Sequence, residues 1–410
     1  MQLPELYLKK NEDRRLRAGH VWIYSNEIDT HATPLKQFAP GTEVRVVASD
    51  QTCLGVAYIN PHSLISARLF SRDPHARLNQ EFFHERIYQA LTLRQRLYTR
   101  PFYRLVFGES DGLPGLVIDR FGTTLVVQIT TAGMEACKEL IIAAVQSVLP
   151  ETESILLRND SQARQYEGLE SYVIAGLRQP PEEIMLEENG LTFKAPLWKG
   201  QKTGWFYDHR LNRSRLKEYV LGQRVLDVFS YLGAWGIQAA KWGAEHVTCV
   251  DSSPLSTHWI QENARLNQVE EKVQVYCDDA FVALKNLKQA EEKFSVIILD
   301  PPAFVKKQKD KKEGFIAYQR INEAALKLLE PNGILISCSC SMHMEYDDLI
   351  QAVRRASLRT NCELQILERG HQAPDHPVHI AIPETDYLKM VILRKNYSVL
   401  FLKAASVYFI

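Results

Sequence analysis

The chain has 410 residues, more than one ordinary hydrophobic core organises at about 150 residues per domain, so several domains are expected. Its 45% hydrophobic and 24% charged content is that of a globular protein, and no apolar run approaches the roughly 20 residues that cross a bilayer. Forty-nine Lys and Arg balance 49 Asp and Glu, which excludes capture of nucleic acid by an overall positive field and leaves that task to local basic patches.

The first 17 residues are polar and lack the apolar stretch of a secretory signal, so a cytoplasmic location is expected. Seven cysteines (Cys53, Cys137, Cys249, Cys277, Cys338, Cys340 and Cys362) are odd in number and lack paired zinc-ligand spacing. They are expected as reduced thiols, with no metal site. Residues 1–72 read as a small β-barrel: residues 41–47 alternate, and 54–59 follow a polar turn. Ahead of these, Arg14, Arg15 and Arg17 precede Trp22 and Tyr24, a mixture that can grip phosphate and stack on bases. A solvated helix end followed by core-facing aromatics fits the same composition.

Residues 73–178 change pattern to an α+β module, with helices over 80–98 and 134–149 and strands over 116–119 and 125–129. Its loop at 108–115, from Gly108 to Gly115, is dense in turn formers. Over 179–395, apolar runs at 225–229, 247–251, 273–276, 294–299 and 333–337 alternate with helical stretches. That is the pattern of a parallel sheet covered by helices, and the expected fold class is α/β and Rossmann-like. A tail at 396–410 contains the apolar run Val399-Leu400-Phe401-Leu402.

Asp227, Asp251 and Asp279 fall at the ends of successive strands of that sheet, and Asp300 ends the fourth, each interval a little short of the roughly 30 residues of one βαβ unit. Ligands of open α/β sheets bind outside these strand ends. The turn Asp227-Val228-Phe229-Ser230-Tyr231-Leu232-Gly233-Ala234-Trp235-Gly236 has too few glycines for the dinucleotide fingerprint, which argues against a pyrophosphate cradle. S-adenosylmethionine carries no phosphate and needs a close backbone approach, here at Gly233, and a nearby carboxylate. Asp251 is placed to accept both ribose hydroxyls and Asp279 the adenine amino group. Singly, each acid reads equally well as a cap or turn residue; their common register favours the cofactor.

Asp300-Pro301-Pro302-Ala303-Phe304 sets an acid beside an aromatic on a backbone stiffened by two prolines, which suits a flat base. Lys306 and Lys307 follow in a lysine-rich loop that could neutralise phosphates. Ser337-Cys338-Ser339-Cys340-Ser341 then presents two thiols at period two, on one face if the strand continues that far. A thiolate can attack C6 of a pyrimidine, C5 takes the methyl group, and loss of the C5 proton expels the cysteine. The base must be flipped out or single-stranded. A small buried strand end is the alternative.

Together these residues resemble the bacterial 23S ribosomal RNA cytosine-5 methyltransferases that carry an N-terminal PUA domain. The resemblance spans about Arg14 to Lys389. It is carried by Arg15-Leu16-Arg17-Ala18-Gly19-His20-Val21-Trp22, the 108–115 loop, Gly200-Gln201-Lys202-Thr203-Gly204-Trp205-Phe206-Tyr207-Asp208-His209-Arg210, and Phe229 to Gly233. Asp300 to Phe304, Ser339-Cys340-Ser341 and Glu384-Thr385-Asp386-Tyr387-Leu388-Lys389 complete it. It implies S-adenosylmethionine as methyl donor, ribosomal RNA as partner, a PUA domain as RNA binder and Cys340 as nucleophile. Asp300 joins Cys340 as a catalytic candidate, and the RNA-binding candidates read from the residues are Arg14, Arg15 and Arg17 with Lys306 and Lys307. Cys340, not Cys338, matches the family's Ser-Cys-Ser.

The family pattern also assigns the Lys202 to Arg210 stretch, with Lys202, Thr203, Phe206, Asp208 and Arg210, to the cofactor crevice. These join the strand-end candidates Asp227, Phe229, Ser230, Tyr231, Gly233, Asp251, Ser252, Asp278, Asp279, Ala280 and Asp300. A homodimer follows by analogy. Ala234 stands where the family has a second glycine, and no residue that removes the C5 proton is visible. Two other readings remain open: methylation of a guanine exocyclic nitrogen, with Cys340 structural, and a non-catalytic RNA-binding assembly factor.

Overall fold

A computed structural model describes residues 3–396; the apolar run at 399–402 lies outside them. The chain forms two compact units, and both are discontinuous. The first takes residues up to Leu186, Ala195–Tyr207 and Pro374–Thr385; the second takes Glu187–Lys194, Asp208–Ala373 and residues from Asp386.

The first unit begins with β1 (Glu5–Tyr7), α1 (Arg14–Arg17), β2 (Trp22–Tyr24), β3 (Thr42–Val47), β4 (Cys53–Ile59) and β5 (Ile65–Ser71). The strands form a sheet in the order β1-β3-β4-β5-β2, with β1 and β3 parallel and the other neighbours antiparallel. A second sheet, β10-β9-β8-β7-β6, is built from β6 (Phe102–Phe107), β7 (Leu116–Phe121), β8 (Thr124–Ile129), β9 (Ser154–Asn159) and β10 (Tyr172–Leu177). With it go α2 (Gln80–Leu97), α3 (Ala132–Ala136), α4 (Lys138–Val148) and α5 (Ala163–Tyr166). The single helix expected at 134–149 is two, broken at Cys137, whose φ of −101° and ψ of 11° leave the helical region.

Successive side chains of a strand point to opposite faces, and β4 uses both. Ala57 and Ile59 enter the core of the first sheet with Leu6, Ile23 and Val44, whereas Val56 and Tyr58 enter the core of the second with Phe83, Leu105 and Ile141. The Tyr58 ring lies where a Cβ on Gly133 would fall, at 2.2 Å, so glycine is what admits α3 against it.

A hairpin of β11 (Glu183–Glu188) and β12 (Leu191–Pro196) precedes the bulk of the second unit. Then come α6 (Arg210–Ser214), β13 (Arg224–Val228), α7 (Ala234–Lys241), β14 (His246–Asp251), α8 (Pro254–Leu266), β15 (Val273–Cys277), α9 (Ala280–Gln289) and β16 (Phe294–Leu299). The unit ends with α10 (Lys311–Leu328), β17 (Leu329–Ser339), α11 (Tyr346–Arg359), β18 (Leu364–His371) and β19 (Lys389–Lys395). The sheet order is β15-β14-β13-β16-β17-β19-β18; the first five strands are parallel, and β19 is antiparallel to both neighbours. This is the expected Rossmann-like α/β architecture. Strand order reverses between β13 and β16, and that is where an open α/β sheet leaves a crevice at its carboxyl edge. Among the described residues no helix is long and apolar enough to cross a membrane.

Candidate active site at the carboxyl ends of the parallel strands

The turn after β13 is built under strain. Phe229 and Tyr231 have φ of 68° and 51°, values uncommon for bulky residues, and Gly233 has 81°. Such backbone persists only where its surroundings over-determine it. Here the amides of Phe229 and Ser230 both donate to the Val250 carbonyl, at 2.9 and 3.0 Å, and the Ser230 hydroxyl donates to the Asp227 carbonyl at 2.8 Å.

Asp227 is fully buried beneath this turn. Its Oδ2 accepts from the Gly236 amide at 3.0 Å, and its Oδ1 has no hydrogen-bond partner. Burial pushes its carboxyl up to about 7. A Cβ on Gly236 would lie 2.5 Å from Cys249 Sγ and 3.2 Å from Asp227 Oδ2, so α7 approaches the sheet this closely only as glycine. Asp251, the last residue of β14, accepts from the amides of Tyr231 and Ser253, each at 2.9 Å. Burial raises its pKa, with these two donors working against the shift.

An unmet buried acceptor, a backbone passage without side-chain bulk and two acids on adjacent strand ends fit a phosphate-free cofactor with a cationic amino-acid end and a ribose. Asp279 stands apart: it is exposed and caps α9, its Oδ1 accepting from the amides of Phe281 at 2.9 Å and Val282 at 3.2 Å. That one oxygen gives it a capping role. Asp278 beside it is half-exposed, Ser252 exposed and Ala280 buried.

Across the switch point, Asp300 follows the last residue of β16. His209 Nε2 lies 3.1 Å from its Oδ1, and Trp235 Nε1 donates to its Oδ2 at 3.0 Å. The Asn212 amide nitrogen, a donor, faces His209 Nδ1 at 3.2 Å, which assigns the ring proton to Nε2 and makes His209 the donor to Asp300. Burial opposes the charge on Asp300, but His209 and Trp235 outweigh it and hold the carboxyl below the usual carboxylate range.

The two candidate cysteines differ. Cys338 lies within β17, fully buried, and burial drives its thiol well above the ordinary value. Cys340 is half-buried, one residue past the end of the strand, with its Sγ 3.8 Å from the Pro301 carbonyl oxygen and so beside Asp300. Both flanking serines are tied down: Ser339 Oγ and Ser341 Oγ lie 2.9 and 3.0 Å from Tyr318 Oη, and the Val305 amide donates to Ser341 Oγ at 3.1 Å. The turn that presents Cys340 is therefore fixed on both sides. Lys389, paired with Ser339 across β17 and β19, donates to the Ser341 carbonyl at 2.7 Å and brings a buried cation to the same turn. Phe304 lies against Tyr318 and Phe229, at ring-centroid distances of 4.9 and 6.3 Å. His209, Asp300 and Cys338 bring three metal-ligand atom types within 4.8 Å of one another.

The other expected site residues divide between the two units. Lys202, Thr203 and Phe206 belong to the first unit, where the Lys202 ammonium lies 4.6 Å from the Phe206 ring centroid and Thr203 is buried. Asp208 and Arg210 belong to the second: Tyr387 donates to Asp208 at 2.6 Å, and Arg210 stands 3.8 Å from buried Glu188. Of the N-terminal arginines, Arg15 pairs with Glu27 at 2.7 Å and stacks over Tyr24, and Arg17 pairs with Asp13 and Asp50. Arg14, Lys306 and Lys307 are exposed. His209, Asn212, Trp235, Tyr318 and Lys389 were not singled out from the sequence, although His209, Trp235 and Lys389 stand inside motifs that were.

Residues 6–72 match the PUA-like domain family, and residues 170–393 match a family described as S-adenosylmethionine-dependent methyltransferase. The ribosomal RNA large subunit methyltransferase I of Aliivibrio fischeri (strain ATCC 700601 / ES114) is 36% identical over 390 residues, covering 94% of this chain and 97% of that protein. The same-named protein of Aeromonas salmonicida (strain A449) is 37% identical over 396 residues, with 95% and 98% covered. Among solved structures, a SAM-dependent methyltransferase from Streptococcus mutans matches with a TM-score of 0.82 at 21% identity, covering 96% of this chain and all of that one.

Proposed function

The chain belongs to the S-adenosylmethionine-dependent methyltransferases, in the family of ribosomal RNA large subunit methyltransferase I, and from that premise we propose that it methylates C5 of a cytosine in 23S ribosomal RNA through Cys340. S-adenosylmethionine is its methyl donor and, when bound, supplies an electrophilic methyl group. Asp227 and Asp251, with the strained turn from Phe229 to Gly233, are the residues that would hold it. A homodimer and a cytoplasmic location belong to the same proposal.

In this reading the Cys340 thiolate adds to C6 of a cytosine taken out of its stack, and the electron pair moves to C5. C5 bonds the methyl group, C5 then loses its proton, and the C6–S bond breaks to restore the ring and the thiolate. Asp300, held ionised by His209, accepts a hydrogen bond from the exocyclic amino group and fixes the base against Phe304. Lys389 favours the thiolate over the thiol. The observation that carries the reading is the contrast between two thiols: Cys338 sealed in the sheet with its thiol pushed up, and Cys340 half-exposed on a fixed turn beside Asp300.

The test is transfer of labelled methyl groups to 23S ribosomal RNA from cells lacking the protein, followed by nucleoside mass spectrometry. The expected product is 5-methylcytidine, lost in Cys340→Ala while cofactor binding by calorimetry persists. A methylated guanosine, or full activity in that variant, overturns the proposal.

A further inference from the structure

We infer that α9, α10 and α11 form a groove for the RNA phosphate backbone, separate from the residues of the catalytic crevice; the inference rests on the ribosomal RNA reading above. The groove encloses about 610 Å³. Into it α9 brings Lys285 and Lys288, α10 brings Arg320 and Lys327, and α11 brings Arg355 and Arg359. In each helix the spacing of three, seven or four residues sets both cations on one face. Glu323 is the one acidic residue lining the groove, and it is already paired with Lys327 at 2.6 Å and Arg359 at 3.5 Å. Lys285, Lys288, Arg320 and Arg355 make no ion pair among the described residues.

This concentration matters because the chain is formally neutral: it can gather a polyanion only where cations locally outnumber acids. At α1 that excess is largely cancelled, since Arg15 and Arg17 are engaged by Glu27, Asp13 and Asp50. On the three helices it is not. The groove also exposes apolar surface between its cations, with Phe281 37% and Ile316 45% exposed. A cationic channel with an aromatic edge suits a sugar-phosphate backbone whose unpaired base stacks on the ring. An acidic protein surface would match the charge but give no reason for an exposed phenyl ring set among the cations.

The test uses the full-length enzyme and deproteinised 23S ribosomal RNA, comparing wild type with Lys285→Gln/Lys288→Gln/Arg320→Gln. Each phosphate contact contributes about 0.7 to 0.9 to the slope of log affinity against log salt. The triple variant is expected to lose about two units of that slope, bind at least ~10-fold more weakly at 0.15 M salt, and raise the KM for RNA while keeping kcat and S-adenosylmethionine affinity. An unchanged slope and KM, with the wild type methylating normally, overturns the groove alone and leaves an acidic protein as its complement. A wild type that neither binds nor methylates this RNA overturns the ribosomal reading and the groove with it. If the triple variant fails to bind the cofactor, the single exposed changes Lys285→Gln and Lys288→Gln decide by the same slope, each expected to remove just under one unit.

Discussion

His209 Nε2 and Asp300 Oδ1 are 3.1 Å apart, and this contact, with the Trp235 indole at Oδ2, holds the carboxyl below its ordinary range against the upward push of burial. The folded value lies below the unfolded one. The stabilisation from this contact is therefore present above the ordinary carboxylate range and lost as pH falls through the folded value. In His209→Gln the lowering by the imidazole is lost, the carboxyl rises, and the acid limb of kcat/KM moves to higher pH. A charge-assisted hydrogen bond is worth about 1.5–3 kcal/mol, so Asp300→Asn should lower kcat/KM roughly 10- to 150-fold. A pH-rate profile of His209→Gln that keeps the wild-type acid limb would refute the assignment.

Lys389 and Cys340 make the second prediction. Burial lowers the pKa of the Lys389 ammonium, against the pull of Asp386 and Cys340. As long as it stays charged it favours thiolate at Cys340. Lys389→Met is expected to shift the rising limb of kcat/KM to higher pH and to cost roughly tenfold at pH 7 if the thiol rises by one unit. Cys338→Ala should retain transfer within a few-fold, and iodoacetamide should modify Cys340 well before Cys338, as mass spectrometry of timed samples would show.

The parallel sheet was legible because both of its faces are covered: buried strands such as β13, β14 and β16 read as mainly apolar runs, broken by few polar residues. Edge strand β18 carries charged residues at Glu368 and Arg369 and left no such run. The discontinuous units were invisible for another reason. Residues 374–385 rejoin the first unit with little regular structure, so no periodicity announces it; what secures it includes Arg94, which donates to the Asp375 carbonyl at 2.7 Å across more than half the chain. Candidate acids were legible as a register of aspartates, but spacing could not tell Asp227, buried with an unmet oxygen, from Asp279, exposed and capping α9 through one oxygen. Lone partners such as His209 carry no pattern; only the fold sets them against Asp300.

Asp227 predicts an unusual pH dependence of stability. Its carboxyl stands at about 7 in the fold against 3.8 unfolded. Between those values the folded state holds a proton that the unfolded state has released. Its contribution therefore weakens as pH rises from about 4 to 7, by up to about 4 kcal/mol. Asp227→Asn should flatten that slope and raise the melting temperature of the cofactor-free protein above pH 7, while weakening S-adenosylmethionine binding in calorimetry. Equal cofactor affinity in the variant would remove Asp227 from the cradle.

The last prediction concerns the support beneath His209. Glu188 and Arg213 are both buried and meet in two bonds, of 2.6 and 2.9 Å, and the Gln238 amide donates to the same carboxylate at 3.0 Å. Arg213 lies on α6, one residue beyond Asn212, so the pair anchors the helix that orients the His209 ring. Removing one partner strands the other charge in the interior, which typically costs about 3–5 kcal/mol, whereas replacing both by apolar groups is often neutral. Glu188→Ala should therefore unfold at markedly lower denaturant than wild type. Glu188→Leu/Arg213→Met should recover part of that loss in chemical denaturation, since Arg210 and the Gln238 amide still lose Glu188, and it should show a reduced kcat if the α6 anchor also sets the His209 geometry. A double variant as unstable as the single one would mean that the surrounding network, rather than the isolated charge, sets the cost.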